Sequence, residues 1–390
     1  MTRPQIAVLF AIAMALGGPG TTGSAEAASE TEPEPLCQTD VFVSGSGAIH
    51  TFRIPAMIVA PDGSLLVFCE ARKQSIRDAS PTDMVLKRSR DGGRTWLPMQ
   101  VLIRGKGKEA IMNPCPVVDR KTGTVLLFCV SAHKIAQGRH RPLIITSKDH
   151  GKTWSPPVDV STRIAPSDDT FVPGPGVGIQ LKNGRLVIPG YSGTYHRETR
   201  TGFHARTVYS DDGGRTWRMG KRVTAFSNEC QVVELADGRL MLNMRDNTGQ
   251  SCRGVALSSD GGETWTKPHY DRALNECPCQ ASFIRYTSEE SNGKNRLLFA
   301  NPDVSGHRYG VVKRTRMTVR LSYDEGKTWP VTKLIHAGPS SYSSLVALPG
   351  GDIGLVYEGG QEHRREWIRF ARFSLGWLTG GKDRLKREPQ

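Results

Sequence analysis

Three arginines, Arg53, Arg245 and Arg314, carry the plainest chemistry in this chain. A guanidinium holds paired N–H donors in a planar fork that matches the two oxygens of a carboxylate, so three at one place would clamp an acid. Alone, any one of them reads more simply as half of a surface ion pair. The same reading collects Glu70, Arg72, Asp78, Asn113, Glu229, Gln280, Tyr342 and Glu358. Glu70 and Glu358 suit partners that hold arginines in place better than reactants, because a group that grips a ligand must itself be positioned. All of these lie far apart in sequence, and only the elements that carry them can bring them together.

The phrase S-x-D-x-G-x-T-W occurs five times, at residues 89–96, 147–154, 210–217, 258–265 and 322–329, in steps of 48 to 64 residues. Such a period means copies of one supersecondary unit, stacked or arranged radially. Each copy is a turn: Ser and Asp side chains bond nearby amides, the glycine admits positive φ, and Thr-Trp starts a strand. The phrase lacks the run of oxygen ligands a calcium loop needs, so a structural role is expected. Upstream of the boxes lie apolar hairpins that turn at Asp62-Gly63, Thr122-Gly123, Asn183-Gly184, Asp237-Gly238, Asn292-Gly293 and Gly350-Gly351. After each of the first five comes a third strand, residues 84–89 or 317–322 for instance, then the box and a fourth strand. The sixth leads into residues 367–375 without a box, so residues 41–44 are expected to supply its outer strand and close the ring. The expected fold is all-β, a six-bladed β-propeller of four-stranded antiparallel sheets, with little helix.

That topology sorts residues by face. Strands alternate in direction within a blade, so the start of the first strand, the end of the second and the loop to the third share one rim. The hairpin turns and the boxes share the other. On the first rim fall Arg53, Glu70, Arg72 and Asp78 of blade one, and Asn113 of blade two. Glu229 and Arg245 come from blade four, Gln280 and Arg314 from blade five, Tyr342 and Glu358 from blade six. First strands line the axis, so these groups converge at its mouth and the substrate is expected to be an acid.

Residues 1–27 read as a secretory signal, with Arg3, an apolar run over 6–16 too short to span a bilayer, and Ala25-Glu26-Ala27 as cleavage site. Residues 28–38 read as a flexible linker, 39–380 as one catalytic domain and 381–390 as a basic tail. A secreted or periplasmic protein is expected. The formal net charge of +14 is dispersed except at 382–387, which fits a solvated surface with a general attraction for acidic glycans. The eight cysteines follow no zinc spacing, Cys277-Pro-Cys279 being one residue short of C-x-x-C. Export permits disulfides, with Cys252 to Cys277 or Cys279 as candidates, whereas Cys69 and Cys129 read as buried thiols.

Phe52-Arg53-Ile54-Pro55 together with the five boxes resembles the exo-sialidases (neuraminidases), both bacterial and lysosomal-type animal enzymes. The similarity covers nearly all of the chain after the signal. It takes in Glu70-Ala71-Arg72, Asn113-Pro114-Cys115-Pro116, Gly174-Pro175-Gly176, Asn228-Glu229-Cys230-Gln231, Asn243-Met244-Arg245 and Tyr342-Ser343-Ser344-Leu345. Boxes occur in other propellers; FRIP, E-C-Q, N-x-R and Y-S-S-L in that order are specific. The resemblance implies that Arg53, Arg245 and Arg314 bind the carboxylate of sialic acid, that Tyr342 is a nucleophile paired with Glu229, and that Asp78 is the acid/base. Asp83 lies five residues on, and spacing back from Val85-Leu86 favours Asp78. Arg308, Arg316 and Arg320 neighbour Arg314, which the pattern Arg-x-x-Met-Thr favours. The resemblance further suggests Arg72, Met112, Asn113, Tyr191 and Gln280 as contacts to the sugar.

The chemistry explains these residue types. The anomeric carbon of a sialoside carries its own carboxylate, so an anionic nucleophile would approach against like charge, which a neutral phenol avoids. A phenol has a free pKa near ~10 and needs a base, here Glu229. Asp78 would protonate the departing oxygen and then activate water, and two displacements retain configuration. No metal or organic cofactor is called for. The expectation is a secreted, monomeric exo-α-sialidase acting on sialylated glycoconjugates, with neither a nucleic-acid partner nor a membrane span. A trans-sialidase and a non-catalytic sialic-acid-binding propeller are the alternatives.

Overall fold

The computed structural model describes residues 36–132, 140–164, 170–193, 202–224, 226–306 and 313–385. The expected export signal, most of the linker and the end of the tail lie outside them. The described chain is all-β. It begins with β1 (Cys37–Val43), β2 (Thr51–Val59), β3 (Leu65–Arg72), β4 (Thr82–Ser89) and β5 (Gln100–Ile103). Next come β6 (Ala110–Asp119), β7 (Thr124–Ala132), β8 (His140–Ser147) and β9 (Val158–Asp159), and then the one-turn helix α1 (Ser161–Ile164). β10 (Phe171–Pro173), β11 (Ile179–Gln180), β12 (Leu186–Ser192), β13 (His204–Ser210) and β14 (Arg218–Met219) follow. After them stand β15 (Ser227–Glu234), β16 (Leu240–Asp246), β17 (Cys252–Ser258) and β18 (His269–Asn275). The last stretch holds β19 (Ser282–Thr287), α2 (Glu289–Asn292), β20 (Arg296–Pro302), β21 (Thr315–Ser322), β22 (Val331–Ala347), β23 (Ile353–Gly359), β24 (Trp367–Phe373) and α3 (Leu375–Thr379).

Sequence neighbours pair antiparallel as β2-β3-β4-β5, β6-β7-β8-β9, β12-β13-β14 with β10 and β11 both on β12, β15-β16-β17-β18 and β19-β20-β21-β22. The long β22 is shared, residues 331–339 pairing with β21 and residues 340–347 with β23. β24 continues that second group and takes β1, from the other end of the chain, as its outer strand. Second strands such as β3 (LLVFCEAR) are near-continuous apolar runs and are buried throughout, as befits strands covered on both faces.

The five boxes share one hydrogen-bond pattern. Ser89 Oγ donates to Asp91 Oδ1 at 2.7 Å and accepts the Gly93 amide at 2.8 Å. Asp91 in turn accepts the Thr95 amide at 2.9 Å and the Thr95 hydroxyl at 2.5 Å. The later boxes repeat these bonds atom for atom. The threonine hydroxyl and amide hold Asp91 and Asp212 down to about 2. The box tryptophans pack backwards, edge-on: Trp154 on Phe68 of β3 (5.7 Å between ring centres), Trp217 on Phe128 of β7 (4.7 Å), and Trp96 on Phe370 of β24 (5.6 Å). Trp329 donates its indole N–H to Asp271 of β18 at 2.9 Å. These boxes therefore fasten their own strands to the preceding group, and the first box fastens to the last group.

Several expectations are corrected. Asn292-Gly293 is not a tight hairpin turn: it ends α2, whose first turn is closed by Ser288 and Ser291, each hydroxyl accepting the other's amide at 3.2 Å. β1 starts at Cys37, inside the stretch read as linker, and β24 stops at Phe373 before Ser374 caps α3. The tail is partly docked, because Asp383 is buried and accepts Arg296 Nε and Nη2 at 2.7 and 2.8 Å. All eight cysteines are free thiols, so Cys252 is bridged to neither Cys277 nor Cys279. Cys69 and Cys129 are buried as expected. Among the described residues no helix is long and apolar enough to cross a membrane.

Candidate active site

Four first strands lose register at the same end. β2 shifts against β3 between Arg53 and Ala56, and β6 against β7 between Met112 and Cys115. β15 shifts against β16 between Ser227 and Cys230, and β22 against β23 between Ser340 and Ser343. A bulge takes a side chain out of strict alternation and re-aims it. At these bulges stand Arg53, Asn113, Glu229 and Tyr342. Two have a visible cause, since Pro55 and Pro114 have no N–H to carry the ladder through. Ile54 (φ 58°) and Asn113 (φ 57°) enter the left-handed region, at a cost of about 1–3 kcal/mol for a β-branched residue. Each is held by a buried glutamate: the Ile54 amide donates to Glu358 at 2.7 Å and the Asn113 amide to Glu70 at 3.0 Å.

Tyr342 is the centre of the cluster. Its hydroxyl donates to Glu229, and Arg245 Nη1 donates both to Glu229 and to the Tyr342 oxygen, the latter at 3.2 Å. The guanidinium carbons of Arg53 and Arg314 lie 5.1 and 5.6 Å from the centre of the Tyr342 ring. The structure thus brings together the three arginines and the Tyr/Glu pair that the sequence singled out. Glu358 binds Arg53 in a two-point fork at 2.9 and 3.0 Å. Burial opposes the charges of Arg53 and Arg245, but Glu358 and Glu229 outweigh it and hold both guanidinium groups firmly protonated. Burial and the adjoining Glu229 push the Tyr342 phenol well above its ordinary value, against the pull of Arg245 and Arg314.

Residues 63–355 match the family described as BNR repeat-like domain. A sialidase from Micromonospora viridifaciens is 37% identical over 96% of this chain and 60% of its own length. Sialidase-3 from Bos taurus is 31% identical over 83% of this chain and 89% of its own length. The chain belongs to the sialidase family. Among solved structures, a Hadza microbial sialidase matches with a TM-score of 0.78 and 30% identity, over 87% of this chain and 69% of that one. The chain spans 60% of the length of the Micromonospora sialidase and 62% of that of a Bacteroides fragilis relative.

The remaining sialidase-like residues fall into two classes. Arg72 is buried, bonded to Glu70 at 2.9 and 2.7 Å and to the Ile76 carbonyl at 2.7 Å, and it pairs with Asp78 at 2.8 Å. The Asp78 side chain is 70% exposed. Burial would raise Asp78, yet the charges of Arg72 and Arg53 hold it below the ordinary carboxylate range. Asp83 is instead buried, paired with Lys73 at 2.7 Å and accepting the Gly105 amide at 2.9 Å. Asn113 donates to the Pro173 carbonyl at 3.3 Å, and Met112 packs with Val172 and Tyr191. Gln280, expected to touch the sugar, is 1% exposed with its amide spent on the Ser343 backbone at 2.9 and 3.0 Å. It braces β22 just beyond Tyr342.

Other supports escaped the sequence reading. Arg314 is anchored by Ser341 Oγ at 3.0 Å and by the Pro278 carbonyl. Cys277 and Cys279, noticed first as a failed metal motif, pack with Ile54 against Tyr342. Beneath Arg245, Arg253 bonds Asn243 at 2.7 Å and Glu276 at 3.0 Å. Burial pushes Glu276 up to about 8 against the pull of Arg253 and Arg245. No short motif marks such a network, because its members are defined by depth alone. A cavity of about 690 Å³ lies at the opposite end of the same strands, between Met57–Val59 and Leu345–Ala347. It holds none of the clamp residues, so the convergence of charge, and not volume, locates the site.

Proposed function

We propose that this chain is an exo-α-sialidase that hydrolyses terminal α-linked sialic acids with retention of configuration, Tyr342 being the nucleophile. The observation that carries this reading is the Tyr342 hydroxyl bonded to Glu229 beneath Arg53, Arg245 and Arg314. The arginines take the substrate carboxylate and fix the anomeric carbon over the phenol. A phenol kept neutral by burial meets that carbon without charge repulsion, and Glu229 accepts its proton as the new bond forms. Asp78 donates a proton to the departing oxygen and later takes one from the attacking water. In the free protein Arg53 and Arg72 keep Asp78 ionised. A substrate carboxylate on Arg53 cancels part of that field, so binding itself readies the acid.

The framework we infer is a closed six-bladed propeller. It is supported by contacts between inner strands in cyclic order: β2 with β6, β6 with β12, β12 with β15, β15 with β19, β19 with β22 and β22 with β2. Residues 1–27 lead us to propose export, so the substrates are terminal sialosides of extracellular or periplasmic glycoproteins, glycolipids and oligosaccharides. Tyr342→Phe, Asp78→Asn and Arg245→Ala are to be assayed on 3′-sialyllactose by release of free sialic acid. Each is expected to lose turnover by a factor on the order of 10² or more. Near-wild-type turnover in all three would overturn the reading.

A further inference from the structure

The turn between β23 and β24 brings to this pocket two cations that the proposed chemistry does not use. Its frame is the Glu366 carboxylate, which accepts the amides of Gln361, Glu362 and His363 at 2.9, 2.9 and 2.6 Å. The Gly360 amide ties it to the Pro339 carbonyl at 3.1 Å, next to the bulge that carries Tyr342. Held there, Arg364 and Arg365 are half-buried. The Nε of each is buried without a hydrogen-bond partner, and among the described residues neither side chain has a carboxylate partner. Arg365 Nη1 lies 3.4 Å from His363 Nε2.

Their surroundings are cationic. Burial and the charges of Arg314 and Arg53 depress Arg364, and burial with Arg53 and Arg364 brings Arg365 to about 10, Glu358 opposing only in part at both. Arg365 is also within electrostatic reach of Asp78. Arg364 is likewise within electrostatic reach of Arg314. Half-buried guanidinium groups with no carboxylate bonded to them are destabilising in themselves, and the glutamate frame holds their turn in place. The carboxylate of the terminal sialic acid already has three arginines. None of the motifs that carry the family resemblance includes this turn.

We propose that Arg364 and Arg365 form a second anion subsite, for a negative charge carried by the leaving group. The chemistry shared by its ligands is an oxyanion on the leaving group, beyond the first carboxylate: the carboxylate of a penultimate sialic acid, or a sulfate ester on the sugar that bears the terminal one. This inference rests on the sialidase reading above and adds a substrate preference to it.

The test compares initial kcat/KM on 3′-sialyllactose, on an α2,8-disialyl lactose and on a sulfated sialyllactose. It uses wild type, the Arg364→Gln/Arg365→Gln double variant and Arg365→Lys. The ratio of anionic to neutral leaving group is expected to fall about tenfold in the double variant, mainly through KM, and to be partly kept by Arg365→Lys. In wild type the same ratio should shrink as salt is raised. A fall for both anionic substrates supports a general anion subsite, and a fall for one of them identifies its source. A ratio that neither the double variant nor salt moves would overturn the subsite while leaving the sialidase reading intact. Absence of hydrolysis of every sialoside by wild type would overturn that reading and the subsite with it.

Discussion

Residue by residue, the site is governed by charge. Asp78 is exposed enough to meet solvent and substrate, and two arginines hold it ionised in the free protein. A general acid works only below its pKa, so a depressed value moves the falling limb of activity toward acid. kcat/KM reports the free protein and kcat the bound complex. Substrate neutralises Arg53, so the falling limb of kcat is expected at higher pH than that of kcat/KM, measured on a natural sialoside. Asp78→Asn should slow an alkyl sialoside far more than an aryl sialoside, whose phenolate leaves without help. Equal losses on both would remove Asp78 from the acid role. Arg53, Arg245, Glu229 and Tyr342 were legible as residues. That Glu70 and Glu358 each hold both an arginine and a strained amide was not, because the second bond depends on bulges two strands away.

Elements set where those residues point. FRIP and the Asn-Pro pair at 113–114 announce their bulges through proline, so part of the site geometry is written in the sequence. The bulges at Ser227–Cys230 and Ser340–Ser343 contain no proline and gave no such signal. The hairpin misread at Asn292-Gly293 shows the limit of a dipeptide rule: Ser288 and Ser291, a few residues upstream, cap a helical turn instead. The boxes lie at the opposite end of the strands from the bulges and are expected to act on stability. Their aspartates are depressed to about 2 at Asp91 and Asp212, so their contribution is complete above about pH 4 and is lost as pH falls toward about 2. Asp212→Asn is expected to lower stability by about 1 kcal/mol through its lost threonine bonds, seen as a lower Tm at neutral pH, with kcat/KM unchanged. Loss of turnover at unchanged Tm would contradict this separation of stability from catalysis.

For the whole molecule, closure is the question. β1 pairs with β24, and Trp96 of the first box packs on Phe370 of that strand, so the two ends of the chain hold one another. Phe42 is the plug of this seam: it is buried and its ring lies 5.0 Å from that of Phe52, beside Arg53. Phe42→Ala is expected to cost about 3–5 kcal/mol, read as a drop in the urea midpoint. A cost below about 1 kcal/mol would mean that the seam is not a structural joint. Periodicity made the outer strand from residues 41–44 legible in advance. The docking of Asp383 on Arg296 was hidden by the basic composition around it.

The central claim is that Tyr342 attacks the anomeric carbon. A sialosyl fluoride carrying a second fluorine beside that carbon slows breakdown of the glycosyl-enzyme, and peptide mass spectrometry then locates the adduct. One sialosyl group is expected on the peptide that contains Tyr342, absent in Tyr342→Phe. An adduct on Glu229, or steady hydrolysis of unsubstituted sialosides with inversion at the anomeric carbon, would contradict it.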